Sequence, residues 1–220
     1  MKDIGFKIFL IGLIILIILI LCLVFSKKIN FFIVGLTSKK RVQKRMLKDC
    51  KNKDYLILND IWLPVGNNKC KYVDTIIFGN KYIYIITIIK QAGEVTPSLK
   101  DEKWRVAFHN QSSSHGQLSL IDNPLNYNRR VILYITQILQ EIKKEDLKSI
   151  AVLTKTCRIK ENLNSQDEFV VLENNLIKLI NEIEKKSYDD ILDPNEVEKY
   201  CNILYRAGLE CEKKVKEKKY

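Results

Sequence analysis

The fold class this sequence predicts is α/β, of the α+β kind: a mixed β-sheet flanked by helices and preceded by one N-terminal transmembrane helix. Three observations predict it. Residues 8–26 form a run of 19 residues without a charge, mostly Ile and Leu. Behind that run, stretches of helical and strand period follow one another, with strands grouped early and helices late. Residues 81–89, KYIYIITII, are apolar on both faces, as a central strand covered on two sides must be.

The apolar run comes first. At about 1.5 Å per residue it nearly spans a hydrocarbon core of about 30 Å. Lys7 can snorkel and complete the span. A cleaved signal peptide needs a shorter core and small residues before the cut. Here the run ends Cys22-Leu23-Val24-Phe25-Ser26, and bulky Ile20 and Leu21 precede the cysteine. An uncleaved anchor over residues 1–30 is the reading, with membrane contact through residues 4–28. Lys2 and Lys7 precede the span, offset in part by Asp3. Lys27, Lys28, Lys39, Lys40, Arg41, Lys44 and Arg45 follow it. The heavier positive side is C-terminal, so the expectation is a single-pass protein of the cell membrane with its C-terminal domain in the cytoplasm.

The rest of the 220 residues suits a globular body of ordinary domain size. With 46% hydrophobic residues, 8 Gly and 4 Pro, the chain is neither disordered nor collagenous, and one apolar span excludes a polytopic channel. The net charge is +11, but its location matters more than its size. Residues 1–30 carry +3, residues 31–54 carry +6 and residues 212–220 carry +3, which leaves residues 55–211 at −1. A basic cluster beside an apolar span suits anionic headgroups at least as well as nucleic acid. Six cysteines at 22, 50, 70, 157, 201 and 211 form no C-x-x-C pair and are read as reduced, buried or incidental thiols.

The elements follow in order. Residues 38–50 read as a helix with Val42, Met46 and Leu47 on one stripe. Residues 55–63 form a strand closed by Pro64, and Gly66-Asn67-Asn68 supplies a turn. Residues 70–78 are a second strand, Gly79-Asn80 a tight turn, and residues 81–89 the third strand. Trp104 to Phe108 is a short strand, followed by a polar stretch at 109–117. Asp122-Asn123-Pro124 starts a helix whose stripe is Ile132, Ile135, Ile138 and Leu139. Residues 149–154 and 168–172 read as strands, and helices over about 173–186 and 194–209 finish the chain. Asp193 and Glu196 sit at the positive end of the last.

Five of these segments resemble, in order and spacing, the nuclease-related domain family. Leu56-Ile57-Leu58-Asn59-Asp60-Ile61 looks like its first motif and Val73-Asp74-Thr75-Ile76-Ile77 its second. Residues 83–89 followed by Gly93 look like its Glu-x-Lys strand. Trp104 and Asn123-Pro124-Leu125 look like the last two. The resemblance covers Lys39 to about Leu153. It implies a restriction-endonuclease-like fold over residues 31–160, with 161–220 a helical extension and basic tail. It also implies a metal-dependent nuclease architecture. In such a site an Asp on one strand and a Glu on the next hold Mg²⁺. A Lys two residues on shares the Glu's strand face and helps activate water.

Here the pattern breaks. Anchored on Asp74 and Gly93, the Glu position falls on Thr87 and the Lys position on Ile89. Shifting to Lys90 puts Ile88 at the carboxylate. The family's acidic residue in the opening helix is missing from SKKRVQKR, residues 38–45. The Gln after Asn-Pro falls on Tyr127, between Asn126 and Asn128. Asp74 is the one remnant metal ligand, and the degenerate positions are Asp74, Thr87 and Ile89. The expectation is therefore a non-catalytic protein with no cofactor, binding Mg²⁺ only if the nuclease site is active. Its role is binding or scaffolding, with DNA, RNA or a protein as partner. The alternatives are an active metal-dependent nuclease with a rearranged site, or a membrane-tethered protein-interaction module. Charge on Asp74 is expected to matter little, since no cation depends on it.

Other candidates carry blander readings. Glu94 follows Gly93 in an apparent turn and suits the surface. His109 and His115 lie in a polar loop without an acidic partner. Lys39, Lys40, Arg41, Lys44 and Arg45 suit membrane topology and lipid contact more than phosphate. Trp62 and Trp104 suit the core.

Overall fold

The computed structural model describes Ile15 and residues 38–66, 69–108, 117–160, 163–186 and 191–217. The chain divides into two compact units, Met1–Ser38 and Lys39–Tyr220. The apolar run, the loop with His109 and His115, and Cys22 lie outside the described residues, apart from Ile15. Among the described residues no helix is long and apolar enough to cross a membrane.

Helix α1 (residues 38–51) leads into β1 (Leu56–Pro64), β2 (Cys70–Phe78) and β3 (Ile83–Ile89). These three strands form an antiparallel meander, with Ile57 opposite Ile77 and Ile77 opposite Tyr84. The chain then leaves this sheet for β4 (Gly93–Thr96), β5 (Lys103–Phe108) and β6 (Gln117–Asp122). Helix α2 (Pro124–Leu139) carries it back to β7 (Leu147–Leu153), which pairs parallel to β3. After β8 (Cys157–Ile159), β9 (Glu168–Leu172) pairs parallel to β7. Helices α3 (Leu176–Lys186) and α4 (Pro194–Glu217) close the chain. The first sheet has the order β1-β2-β3-β7-β9 and the second β6-β5-β4-β8.

The doubly apolar β3 is central, as its composition requires. Every residue but Thr87 is buried. On one face α1 and α3 supply Val42, Met46 and Ile180 against Ile77, Ile86 and Ile150. On the other, α2 and α4 supply Val131, Ile135 and Leu204 against Ile76, Phe78 and Ile85. A third cluster joins the sheets: Trp104, Val95, Leu125 and Leu153. Burying each such side chain contributes about 1.5–3 kcal/mol. Trp104 is fully buried, while Trp62 is half-buried and packs edge-on against Tyr72 at 5.1 Å between centroids. The described cysteines are free thiols, and Cys50, Cys157 and Cys211 are buried.

One mixed sheet is corrected to two. The segment after Gly93 is a strand, not a turn: Glu94 pairs with Ala107 and Arg158 across β4. Gly93 takes φ 118°, and a Cβ there would stand 2.5 Å from the Ala107 carbonyl oxygen. Strands of three and four residues are too short to show a period. The tail is also more integrated than its composition suggests. β9 completes the first sheet, and α4 runs eight residues beyond Leu209 and packs on β1.

A candidate site around Lys39, Asp60 and Asp74

Asp60 and Asp74 are brought together by a fault in the β1–β2 ladder. Asn59 pairs with Thr75 and Ile61 with Val73, but Asp60 between them has φ 56°. Asp is among the few non-glycine residues that visit this left-handed region readily. Lys39, near the start of α1, places its Nζ 2.7 Å from Asp60 Oδ1 and 2.5 Å from Asp74 Oδ1. Its side chain is 10% exposed and that of Asp74 13%. The second Asp74 oxygen, Oδ2, accepts the Ile88 N–H at 2.8 Å. Lys39 also donates to the Tyr72 hydroxyl, which in turn donates to Asp60. Gln43, one turn along α1, donates to Asp60 Oδ1 at 3.1 Å and to the Asp74 carbonyl at 3.0 Å.

The electrostatics follow from this closure. Burial works against charge on Lys39, yet the bonds to Asp60, Asp74 and Tyr72 raise its pKa above the ordinary lysine value. Burial also pushes Asp60 upward, but Lys39, Tyr72 and Gln43 together hold it below the usual carboxylate range. Burial, then the bond to Asp60, pushes the Tyr72 phenol up to about 12. At neutral pH Lys39 is thus an ammonium and Asp60 its ionised partner.

Thr87 and Ile89 lie on β3, the strand next to the one that carries Asp74. Thr87 Oγ1 donates to Asn128 Oδ1 at 2.7 Å. Asn128, fully buried on α2, donates onward to the Ile85 carbonyl and to Ser149 Oγ at 3.2 and 3.1 Å. Ile89 is 7% exposed and packs with Trp104 and Leu125. Neither position supplies a charge or a ligand of the kind Mg²⁺ prefers. Among the described residues, no three His, Cys, Asp or Glu side chains converge as a metal site. The donor set does not fit a divalent cation: one carboxylate pair is present, and an ammonium already bridges it.

A cleft of about 420 Å³ opens beside this cluster, lined by Tyr72, Asp74, Thr87, Ile89, Lys90 and Tyr127 among others. Its walls are largely apolar. Tyr127 donates its hydroxyl to the Tyr72 carbonyl, and Lys71 lies over its ring at 5.4 Å. Asn123, at the cleft edge, has a structural task. Its Oδ1 caps α2 by accepting Leu125 N–H at 2.9 Å, and its amide bonds the carbonyls of Ser98 and Asp101 at 2.9 and 2.7 Å. The Asn-Pro pair is therefore a helix start tied to a neighbouring loop.

Sequence reasoning missed three of these residues. Lys39 was assigned to membrane topology, and Asp60 was noted only as part of a motif. Asn128 was seen only as a neighbour of Tyr127. Arg41 and Arg45 are exposed but bonded within the chain: Arg41 Nη2 donates to both Glu173 carboxylate oxygens at 3.2 Å, and Arg45 donates to Asn174 at 2.7 Å. Lys40 and Lys44 remain exposed. The signal for Lys39 was its place in the segment where the resemblance demands an acid.

The fold is a mixed α/β core with an Asp on β2, an adjoining apolar strand and a cleft beside them. The chain belongs to the nuclease-related domain family, whose model matches residues 35–154. The restriction-endonuclease-like architecture implied by that membership is consistent with the mixed sheet and its flanking helices. No curated protein and no solved structure matches the chain.

Proposed function

We propose that this protein is a membrane-anchored member of the nuclease-related family that binds or scaffolds rather than cleaves. One observation carries the reading: Lys39 Nζ lies between Asp60 and Asp74 and so engages the one carboxylate that remains of the family's metal ligands. An ammonium satisfies the carboxylates electrostatically but has no vacant coordination site, so it cannot lower the pKa of a bound water. With Thr87 and Ile89 at the neighbouring positions, neither a carboxylate nor an ammonium stands where the family has its Glu-x-Lys pair. The anchor is residues 4–28, with the domain on the cytoplasmic side.

The cleft is the surface such a role would use. The near-neutral body, −1 over residues 55–211, favours a protein partner over duplex DNA, whose binding rests on phosphate contacts. A nuclease assay on the full-length chain with Mg²⁺ and with Mn²⁺ tests the reading. No metal-dependent cleavage of single- or double-stranded DNA or RNA is expected. Cleavage that disappears in Asp74→Ala would establish the opposite, an active site built by rearrangement.

A further inference from the structure

Four strands stand at the ends of the two sheets: β1 and β9 in the first, β6 and β8 in the second. An open strand edge offers N–H and C=O groups to any passing strand. Proteins blunt such edges with breaks, charges, proline or covering segments. Three of the four are blunted here. β1 is interrupted at Asp60, ends at Pro64 and carries α4 across it. β9 is closed by Asn164, which bridges Phe169 and accepts Val170 N–H, and by Ser165, whose N–H bonds the Glu168 carbonyl at 2.8 Å. β8 is three residues long with exposed Arg158 at its centre.

Among the described residues β6 has no such device. It is six residues long, without proline or a basic residue, and its one charge is Asp122 at the end. Among the described residues it pairs with β5 alone. Its solvent face presents Leu118 and Leu120, 71% and 62% exposed. Those two leucines stand symmetrically about Ser119. If β6 pairs antiparallel with the β6 of a second copy, centred on Ser119, Leu118 of each copy lies opposite Leu120 of the other. Four exposed leucines then form two cross-strand pairs on one face, the unit of sheet stabilisation. Sliding the register by two residues keeps only one leucine pair: Leu120 opposite itself with Leu118 against Asp122, or Leu118 opposite itself.

We propose that β6 is a self-association edge: two copies pair through it about a two-fold axis at Ser119, joining two four-stranded sheets into one of eight. The contact is isologous, so it closes at two chains and does not propagate. A six-residue edge buries less than the roughly 1,000 Å² of a stable interface, so the dimer is reversible and concentration-dependent. Confinement to a membrane, as proposed above, raises the local concentration.

The test uses purified full-length chain in detergent, oxidised with copper and air. In Ser119→Cys the paired Cα atoms stand about 4.5–5.5 Å apart, inside the disulfide range of about 4.4–6.8 Å. A disulfide-linked dimer above the wild-type background is expected. It is absent from Arg105→Cys, one strand further in, and lost when Leu118→Lys is added to Ser119→Cys. Light scattering adds a second measure free of cysteine chemistry. The wild-type mass rises with concentration and that of Leu118→Lys does not, while thermal melts of the two agree because Leu118 touches little in one copy. Equal cross-linking at Arg105→Cys, a dimer that survives Leu118→Lys, or a wild-type mass that never rises overturns the proposal. Capture of another protein's strand, without self-pairing, appears as that last outcome.

Discussion

The ammonium of Lys39 lies 2.5 Å from Oδ1 of Asp74, and the Ile88 N–H holds the other oxygen of that carboxylate at 2.8 Å. Both acceptor oxygens are therefore engaged from within the chain. The carboxylate that a nuclease would offer to a cation belongs here to an internal ion cluster that ties α1 to the first sheet.

Lys39→Met keeps the stem of the side chain and removes its charge. Two carboxylates then face each other with no cation between them. Breaking a buried pair costs about 3–5 kcal/mol. Asp60, whose side chain is 52% exposed, lets water share the load, so a loss nearer about 2–3 kcal/mol is expected. Chemical denaturation of wild type and variant measures it. A loss below about 0.5 kcal/mol would show that the cluster contributes no more than a surface pair.

Asp74→Asn follows from the same geometry, and here the structure revises the sequence reading. Lys39 depends on that charge. The amide oxygen can still accept the Ile88 N–H, and Asp60 still pairs with Lys39. A loss of about 1–3 kcal/mol is expected, the range for removing a charged hydrogen-bond partner. It is expected to shrink to near zero in the Lys39→Met background, because the two side chains act as a unit.

The cluster also sets a pH dependence. Asp60 titrates lower in the folded chain than its ordinary 3.8. Its contribution is thus complete above that value and is lost as pH falls through the folded pKa. Lys39 titrates higher than its ordinary 10.5, so its contribution is complete below that pH and is lost as pH rises through the folded value. Melting temperatures measured from acid to alkaline pH should fall at both ends. Lys39→Met should flatten the alkaline fall and reduce the acid one. Parallel profiles would place the titrating groups elsewhere.

The first sheet was legible because its strands are long and its central one is apolar on both faces. The second sheet was not. β4 and β8 are too short for a period, and in β6 the alternation puts leucine outward, against the rule that ties alternation to burial. The site was half legible. Asp74, Thr87 and Ile89 could be placed by register alone. Lys39 could not, because a lysine after an apolar run reads as a topology signal. Only the folded chain brings it back across 35 residues to Asp74. Asp60 needed its positive φ, which no pattern of side chains reports.

Gly208 tests whether the C-terminal helix belongs to the fold. It sits where α4 crosses β1, and an added Cβ would stand 2.6 Å from Ile61 Cγ1 and 3.3 Å from the Trp62 carbonyl oxygen. Alanine is the better helix former by about 1 kcal/mol. A net loss of about 1–3 kcal/mol for Gly208→Ala is expected all the same, since overpacking outweighs propensity at a tight crossing. A stabilised variant would mean that α4 packs loosely on β1.

The last prediction concerns the cation. Thr87→Glu sets a second carboxylate on the strand beside Asp74, where the family places its metal ligand. With Lys39 present, the new carboxylate finds an ammonium already bridging Asp60 and Asp74. Expelling that ammonium costs the cluster its counter-charge, so Thr87→Glu alone is expected to bind no Mn²⁺. Combining it with Lys39→Ala removes the competitor and leaves Asp74 and Glu at 87 facing the same cleft. Carboxylates without a counter-ion repel, and a divalent cation relieves that repulsion while meeting its preference for oxygen ligands. Calorimetric titration of the folded double variant with Mn²⁺ should show a binding heat absent from wild type and from both single variants. Binding by Thr87→Glu alone would mean that Lys39 yields readily and does not hold the cation's place. No binding by a folded double variant would mean that position 87 is not aligned with the family's ligand.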